Sequence, residues 1–278
     1  MENQLKIKMV GLDLDGTTLN KDGKLSEETK RVFKEVAAKG VHIVVATGRT
    51  FDSLPKEIVE LDELEYIITS NGAHITRLCD KEVIYSNFIP EKAIERLVPL
   101  FIEKGYSIEA FTGGKAYIDK REYDYCKSCK ESYRNLDYVL STRNPVEGLH
   151  QFMLDHKGEI ENINLNFEFL EDKAKARDVL LEVPGITLTS SFVHNWEIGG
   201  GTTSKGNALK ALADILGVIP EEELLACGDS PNDIAMIKLA KVGVAVENAT
   251  DETKAAADYV FPSNEDDGVA KAITRFVK

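Results

Sequence analysis

The chain has 278 residues, 43% of them hydrophobic and 29% charged, an ordinary globular composition with enough apolar residues for a core that needs no disulfides. Its 34 basic and 47 acidic residues give a formal charge of -13, which argues against a general nucleic-acid binder, because such proteins carry a basic patch. No run approaches the roughly 18 apolar residues of a membrane span. The stretch Met1 to Lys8 lacks the apolar core of a signal peptide, so the expectation is a cytoplasmic protein with no membrane partner.

Ile7 to Leu14 (IKMVGLDL) reads as a buried parallel strand that ends in carboxylates. Ser26 can cap a helix with Glu27 and Glu28 in its first turn and Val32, Phe33, Val36 and Ala37 on one face. Val41 to Ala46 is a second strand, followed by a helix of about ten residues and a third apolar run, Tyr66 to Thr69. Strands and helices alternating in this way predict an α/β fold built on a Rossmann-like parallel sheet.

The pattern then changes. Asn71-Gly72 signals a turn, and Ala73 to Arg77 and Glu82 to Ser86 read as hairpin arms. Beyond Pro90 come a helix, two strands around Gly113-Gly114, a polar helix from Arg121 to Leu136, and a helix from Pro145 to about His156. Ile163, Leu165, Phe167 and Phe169 alternate with polar residues, so a strand buried on one face is expected. A helix at Glu171 to Glu182 and a strand at Ile186 to Ser191 follow. We read residues 87–193 as an inserted α+β domain and residues 1–86 with 194–278 as one core. Parallel-sheet patterning resumes near Trp196, with a helix from Gly206 to Leu216, strands at Leu224 to Cys227, Val242 to Val246 and Tyr259 to Phe261, and a C-terminal helix.

Some residues invite chemistry and fit structure better. Cys126 and Cys129 have CxxC spacing, but no second pair supports a zinc site, so all four cysteines read as reduced thiols. His42 sits in an apolar strand and reads as a packed core residue. Tyr117, Tyr123, Tyr125 and Tyr133 read as packing for the inserted domain, although a ring or sugar ligand would also suit them.

Four pieces carry chemistry, each at a strand end or helix start, where open α/β sheets bind ligands. In Asp13-Leu14-Asp15-Gly16-Thr17 an extended backbone would aim both carboxylates the same way, and Gly16 allows a turn and a close phosphate approach. Side by side the carboxylates repel unless a cation such as magnesium lies between them; without one the run is a capped turn with solvated acids. Thr47-Gly48-Arg49 offers a hydroxyl and a guanidinium fork suited to phosphate. Lys205 starts a helix, where its charge opposes the helix dipole, as would suit an anion-neutralising role. Gly228-Asp229-Ser230-Pro231-Asn232-Asp233 places more acids beyond another strand, more than an N-cap requires. Together these supply the groups for phosphoryl transfer through a covalent aspartyl phosphate.

With DLDGT, the Thr of ATGR, Lys205 and GDSPND in this order, the chain resembles the haloacid dehalogenase superfamily. Asn71-Gly72-Ala73, Ser204-Lys205-Gly206 and the GDSPNDIAM run are similar to the Cof-type, class IIB phosphatases, whose long insertion is a type-two (C2B) cap. The resemblance implies that Asp13 attacks phosphorus and that Asp15 protonates the leaving oxygen and then activates water. It implies that Thr47 binds a phosphoryl oxygen, that Lys205 holds Asp13 against the phosphate, and that Asn232 and Asp233 orient them. Magnesium would bind to the Asp13 carboxylate, the Asp15 carbonyl and Asp229, while Gly16, Gly48, Arg49 and Asn71 would line the phosphate and substrate site. Thr18 departs from the apolar residue many members carry, and Gly199-Gly200-Gly201 is richer in glycine than the pattern leads one to expect, as a mobile loop would be. The expected activity is magnesium-dependent hydrolysis of a small phosphorylated metabolite such as a sugar phosphate. A phosphomutase or phosphotransferase on the same fold, or a non-catalytic sensor of a phosphorylated ligand, are the alternatives.

Overall fold

The computed structural model describes residues 6–278; the start of the polar N-terminal run, residues 1–5, lies outside the described residues. Contacts divide the chain into two compact units, one running up to Gly48 and then over Pro55–Ser86 and Ser204–Lys278, the other comprising Arg49–Leu54 and Asn87–Thr203.

The first unit is built on an eight-stranded sheet. Its early strands are β1 (Met9–Leu12), β2 (His42–Ala46), β3 (Leu64–Thr69), β4 (His74–Arg77) and β5 (Glu82–Ser86). The strands β1 to β3 are parallel, and β4 and β5 return antiparallel, as the Asn71-Gly72 turn predicts. All four residues of β1 are buried, which is the burial expected of a central strand covered on both faces. The helix Glu27–Ala37 begins where expected: the Ser26 side chain accepts a hydrogen bond from the Thr29 N–H at 3.0 Å, and Val32, Phe33 and Val36 are buried. Between β2 and β3 the expected ten-residue helix is only a 3-10 turn at Phe51–Ser53 and a single turn at Lys56–Val59; Pro55 separates them because it cannot continue a helix. His42 is not core: it opens β2 half-buried, with Nδ1 2.9 Å from Glu65 Oε2.

The second unit carries a six-stranded sheet in the order β10-β11-β9-β6-β7-β8, formed by β6 (Ser107–Thr112), β7 (Lys115–Asp119), β8 (Arg143–Val146), β9 (Ile160–Asn166), β10 (Ile186–Thr189) and β11 (Asn195–Gly200). One face packs on helices through Ile94, Leu97, Phe101, Ile163 and Leu165. The strand β9 is buried on both faces, not one, because its polar side is covered as well: Asn164 donates to Glu109 Oε2 at 3.0 Å, and Glu109 pairs with Arg134 and Arg143. The polar stretch expected to be one helix is two, Lys120–Ser128 and Leu136–Thr142, the second restarted by Asn135, whose side chain accepts from the Tyr138 N–H. The helix expected from Pro145 begins only at Leu149; Arg143–Val146 is an edge strand, where the missing N–H of Pro145 is tolerated. Tyr117 stacks on Phe152 and Tyr123 donates to the Leu140 carbonyl, so both pack, whereas Tyr125 is exposed.

The expected return to the core at residue 194 is about ten residues early. Trp196 lies in β11, paired with Leu165 of β9, and its indole N–H donates to the Lys173 carbonyl at 2.8 Å. The three glycines that follow do not form a slack loop. Gly199 and Gly200 pair with β10, and a Cβ on Gly200 would come within 2.6 Å of the Phe88 carbonyl oxygen.

The chain rejoins the first sheet with β12 (Leu224–Gly228), β13 (Val242–Val246) and β14 (Tyr259–Phe261), all parallel to β1. The helix Lys205–Leu216 is capped by Ser204 and ended by Gly217 in the left-handed region. The four cysteines are unpaired thiols. Among the described residues no helix is long and apolar enough to cross a membrane.

Candidate active site

The order β12-β1-β2 in the first sheet brings three chemistry-bearing loops to the carboxyl ends of adjacent strands. The Asp13 N–H donates to the Cys227 carbonyl at 3.0 Å, which sets the first loop against the loop after β12. The strand β1 ends at Leu12, so residues 13–17 form a turn and not an extended run. The two acids therefore do not share one environment: Asp13 is buried and Asp15 is exposed. Gly16 makes the turn at φ 79°, and a Cβ there would lie 2.8 Å from Asp229 Oδ2.

Lys205 is the hub. Its side chain is 1% exposed, and Nζ lies 2.5 Å from Asp13 Oδ1 and 2.6 Å from Asp233 Oδ1. The other oxygen of Asp233 accepts the backbone N–H groups of Asp229 and Ser230 at 2.9 and 3.0 Å. Asp233 thus spends both oxygens on holding its own loop and the lysine. Asp229 accepts the Thr17 hydroxyl on Oδ1 and the Ser230 hydroxyl on Oδ2. Among the described residues Asp13 Oδ2 has no donor, which leaves one carboxylate oxygen for other work.

The electrostatics follow from this packing. Burial pushes the Asp13 carboxyl well above the ordinary aspartate range; Lys205 opposes the rise, and Asp233, Asp229 and Asp15 add to it. Burial and the Asp233 charge likewise raise Asp229. Burial alone would lower Lys205, but the attraction of Asp13 and Asp233 outweighs it and holds the ammonium charged. Three carboxyls face one ammonium, and oxygens of Asp13, Asp229 and Asp233 lie within 4.8 Å of one another. This all-oxygen set, short of positive charge, fits a hard divalent cation.

The remaining expected residues divide. The Asn71 N–H donates to the Thr47 carbonyl at 3.0 Å, and its side-chain oxygen accepts from Asn232 Nδ2 at 3.0 Å, so these three form one chain of contacts. The Asn232 oxygen is buried without a hydrogen-bond partner among the described residues. Ser70, Asn71 and Gly72 all have positive φ, and a Cβ on Gly72 would lie 2.3 Å from the Ser204 carbonyl oxygen, beside the cap of the lysine helix. Thr47 is buried and Gly48 half-buried in the first unit. Arg49 groups by its contacts with the second unit: its Nη1 donates to the Ser53 carbonyl, and its guanidinium lies over the Tyr138 ring.

Sequence reasoning passed over several residues. Thr18 donates to the Asp13 carbonyl at 2.5 Å, which accounts for a hydroxyl where an apolar side chain was expected. Thr17 and Ser230 brace Asp229, and Asn248, in the loop after β13, donates to the Gly16 carbonyl at 2.7 Å. The first two hydroxyls adjoin the motif acids and could have been read as their donors. Asn248 carries no local signal.

The fold thus sets a deeply buried lysine between two aspartates beyond the carboxyl ends of a parallel sheet. A family model described as haloacid dehalogenase-like hydrolase matches residues 10–273, and the chain belongs to that family. It is 32% identical over 288 residues to the 5-amino-6-(5-phospho-D-ribitylamino)uracil phosphatase YwtE of Bacillus subtilis, covering 98% of each chain. To phosphatase YwpJ of the same organism it is 30% identical over 281 residues, covering 95% of this chain and 98% of that one. The chain is a hydrolase of this phosphatase type. In structure it is similar to the subclass IIB sugar phosphatase BT4131, with a TM-score of 0.82, 23% identity, and coverage of 97% of this chain and 98% of that one, a likeness that bears on the fold.

Proposed function

We propose that the chain hydrolyses a small phosphate monoester, with magnesium as its metal and Asp13 as the nucleophile that becomes transiently phosphorylated. The observation that carries this reading is the Lys205 bridge: a buried ammonium pinned by Asp13 and Asp233 fixes one oxygen of Asp13 and, among the described residues, leaves the other without a donor. Asp13 and Asp229, with the Asp15 carbonyl, would hold the metal; Asp233 is less suited, because both its oxygens are already engaged. When bound, the metal would supply positive charge that keeps Asp13 ionised and offsets the charge of the phosphoryl oxygens.

The steps follow from the chain's own groups. An Asp13 oxygen forms a bond to phosphorus as the ester P–O bond breaks, and the Asp15 carboxyl gives its proton to the leaving oxygen. A water then attacks the phosphorus, Asp15 takes its proton, and the bond to Asp13 breaks to release inorganic phosphate. Exposed Asp15 is better placed than buried Asp13 to exchange protons with water and with varied leaving groups. Thr47, Gly48 and Arg49 would grip the phosphoryl oxygens, and Lys205 would hold Asp13 against them. Asn232, held by Asn71, would orient the same group. The second unit would act as the cap that chooses the leaving group.

The substrate is a small phosphorylated metabolite such as a sugar phosphate or a phosphorylated polyol derivative, the class to which the substrate in YwtE's name belongs. Hydrolysis of p-nitrophenyl phosphate with magnesium tests the chemistry, and a screen of phosphorylated sugars and polyols tests the substrate class. Activity should vanish with a chelator and in Asp13→Asn; a folded Asp13→Asn protein as active as the native one would overturn the mechanism. Product analysis with a sugar bisphosphate would expose transfer to a hydroxyl instead of water.

A further inference from the structure

Asp15 is exposed and precedes Gly16, which takes φ 79° and can change conformation at little cost. The position of its carboxyl therefore follows the backbone of the turn that carries it. On one side of that turn the Leu14 carbonyl accepts the N–H groups of Thr18 and Leu19 at 3.0 and 2.9 Å. On the other side two asparagines reach in from the loops after β13 and β14. Asn248 Nδ2 donates to the Gly16 carbonyl at 2.7 Å. Asn264 Nδ2 donates at 2.8 Å to the carbonyl of Leu19, the residue that bridges to Asp15 across the turn. The two asparagines are linked, because Asn248 Oδ1 accepts the Asn264 N–H at 3.2 Å. A backbone N–H can only donate and a carbonyl can only accept, so these two contacts fix which way round the Asn248 amide sits. The loop after β13 is anchored in turn: the Thr250 N–H donates to the Asp229 carbonyl at 2.9 Å. All of these residues belong to the first unit.

We infer that Asn248, with Asn264 behind it, is a positioning residue: it holds the turn so that the Asp15 carboxyl lies within reach of the leaving oxygen. The inference rests on the reading of Asp15 as the proton donor. Without the Asn248 amide, water can take its place on the Gly16 carbonyl, so the fold loses little, but the peptide after Gly16 is freed to rotate. A carboxyl that must lie within about 3 Å of the oxygen it protonates is sensitive to such a shift, and a displacement near 1 Å can cost about 100-fold in rate. The loss belongs to esters with poor leaving groups, which need the proton, and hardly to those whose leaving groups depart as stable anions.

The test is steady-state kinetics of the whole chain, at saturating magnesium, with p-nitrophenyl phosphate and with phenyl phosphate, whose phenolate is the poorer leaving group. The readout is kcat/KM, which covers the steps up to cleavage of the ester bond. Asn248→Ala should lower it roughly 10- to 100-fold for phenyl phosphate and by no more than about threefold for p-nitrophenyl phosphate, with a melting temperature close to native. Asn248→Asp keeps the acceptor for the Asn264 N–H but offers the Gly16 carbonyl no donor, and it should show the same split. Asp15→Asn should show the split more strongly, and adding Asn248→Ala to it should widen the split no further. If Asn248→Ala does not fold, Asn248→Asp and Asn264→Ala carry the same comparison. Equal losses on both substrates, a native ratio in Asn248→Asp, or a split that grows in the double variant would overturn the inference. No split in Asp15→Asn would instead overturn the reading of Asp15 as the acid, and native protein no more active than Asp13→Asn would overturn the phosphatase mechanism beneath both.

Discussion

Lys205→Met removes the only cation that touches Asp13 and Asp233 among the described residues while nearly keeping the side chain's volume. At an effective dielectric of about 20, contacts of 2.5 and 2.6 Å each supply roughly 6–7 kcal/mol of Coulomb attraction. Desolvating the three charges consumes most of that, so the net cost of removing one member of a buried ionic group is about 3–5 kcal/mol. The loss arises mainly from two acids left buried without compensation. Asp13→Asn in the same protein removes one of them, so the double variant should be more stable than Lys205→Met alone. Magnesium should also restore part of the stability, by RT ln(1 + [L]/Kd). Urea melts of the native protein, both single variants and the double variant, with and without magnesium, measure all of this. Additive losses in the double variant, or a Lys205→Met cost below about 1 kcal/mol, would refute the account of Lys205 as the hub of the charge cluster.

Two other substitutions probe the packing of each unit by itself. Burial alone would raise the Glu109 carboxyl, but Arg143 and Arg134 outweigh it and hold it at about 2, below the ordinary glutamate value of 4.5. Its folded pKa being depressed, the stability it contributes is complete above pH 4.5 and is lost as pH falls towards 2, a term of about 3 kcal/mol; Glu109→Gln should flatten the acid limb of the second unit's stability, read by circular dichroism against pH. Gly72→Ala places a methyl 2.3 Å from the Ser204 carbonyl oxygen at φ 103°. It should lower stability by at least about 2 kcal/mol in urea melts and reduce kcat, because Ser204 caps the helix that begins with Lys205.

Periodicity located the parallel sheet well because buried strands such as β1 and β12 are continuously apolar, and any covered central strand must be. The motif acids were legible for a related reason: polar residues directly beyond such strands have no core to join. Local pattern failed where a side chain's fate depended on a distant partner. The alternation of β9 promised an exposed face, yet Asn162, Asn164 and Asn166 are buried; Asn164 donates to Glu109, which pairs with Arg134 and Arg143, all far away in sequence. Trp196 looked like a return to the first sheet because its apolar neighbours suit either sheet; only its pairing with Leu165 decides.

The same distinction separates the roles of the site acids. Spacing presented Asp13 and Asp15 as equivalent neighbours and Asp229 and Asp233 as another pair. Folding breaks both symmetries through hydrogen bonds that no motif spells out. Asp13 is drawn under Lys205 while the turn at Gly16 leaves Asp15 at the surface, which suits one to attack and the other to carry protons. Asp233 is saturated by two backbone amides and the lysine, whereas among the described residues Asp229 is braced only by the hydroxyls of Thr17 and Ser230, neutral donors that leave its charge available to a cation. Asp233→Asn and Asp229→Asn should therefore fail differently. The first should lose stability even without metal, because any orientation of the amide sets an NH2 group against Lys205 or against two backbone N–H groups. The second should fold normally and lose most of its magnesium-dependent gain in stability. Equal metal responses in the two variants, read by thermal melts across a magnesium titration, would reverse that assignment.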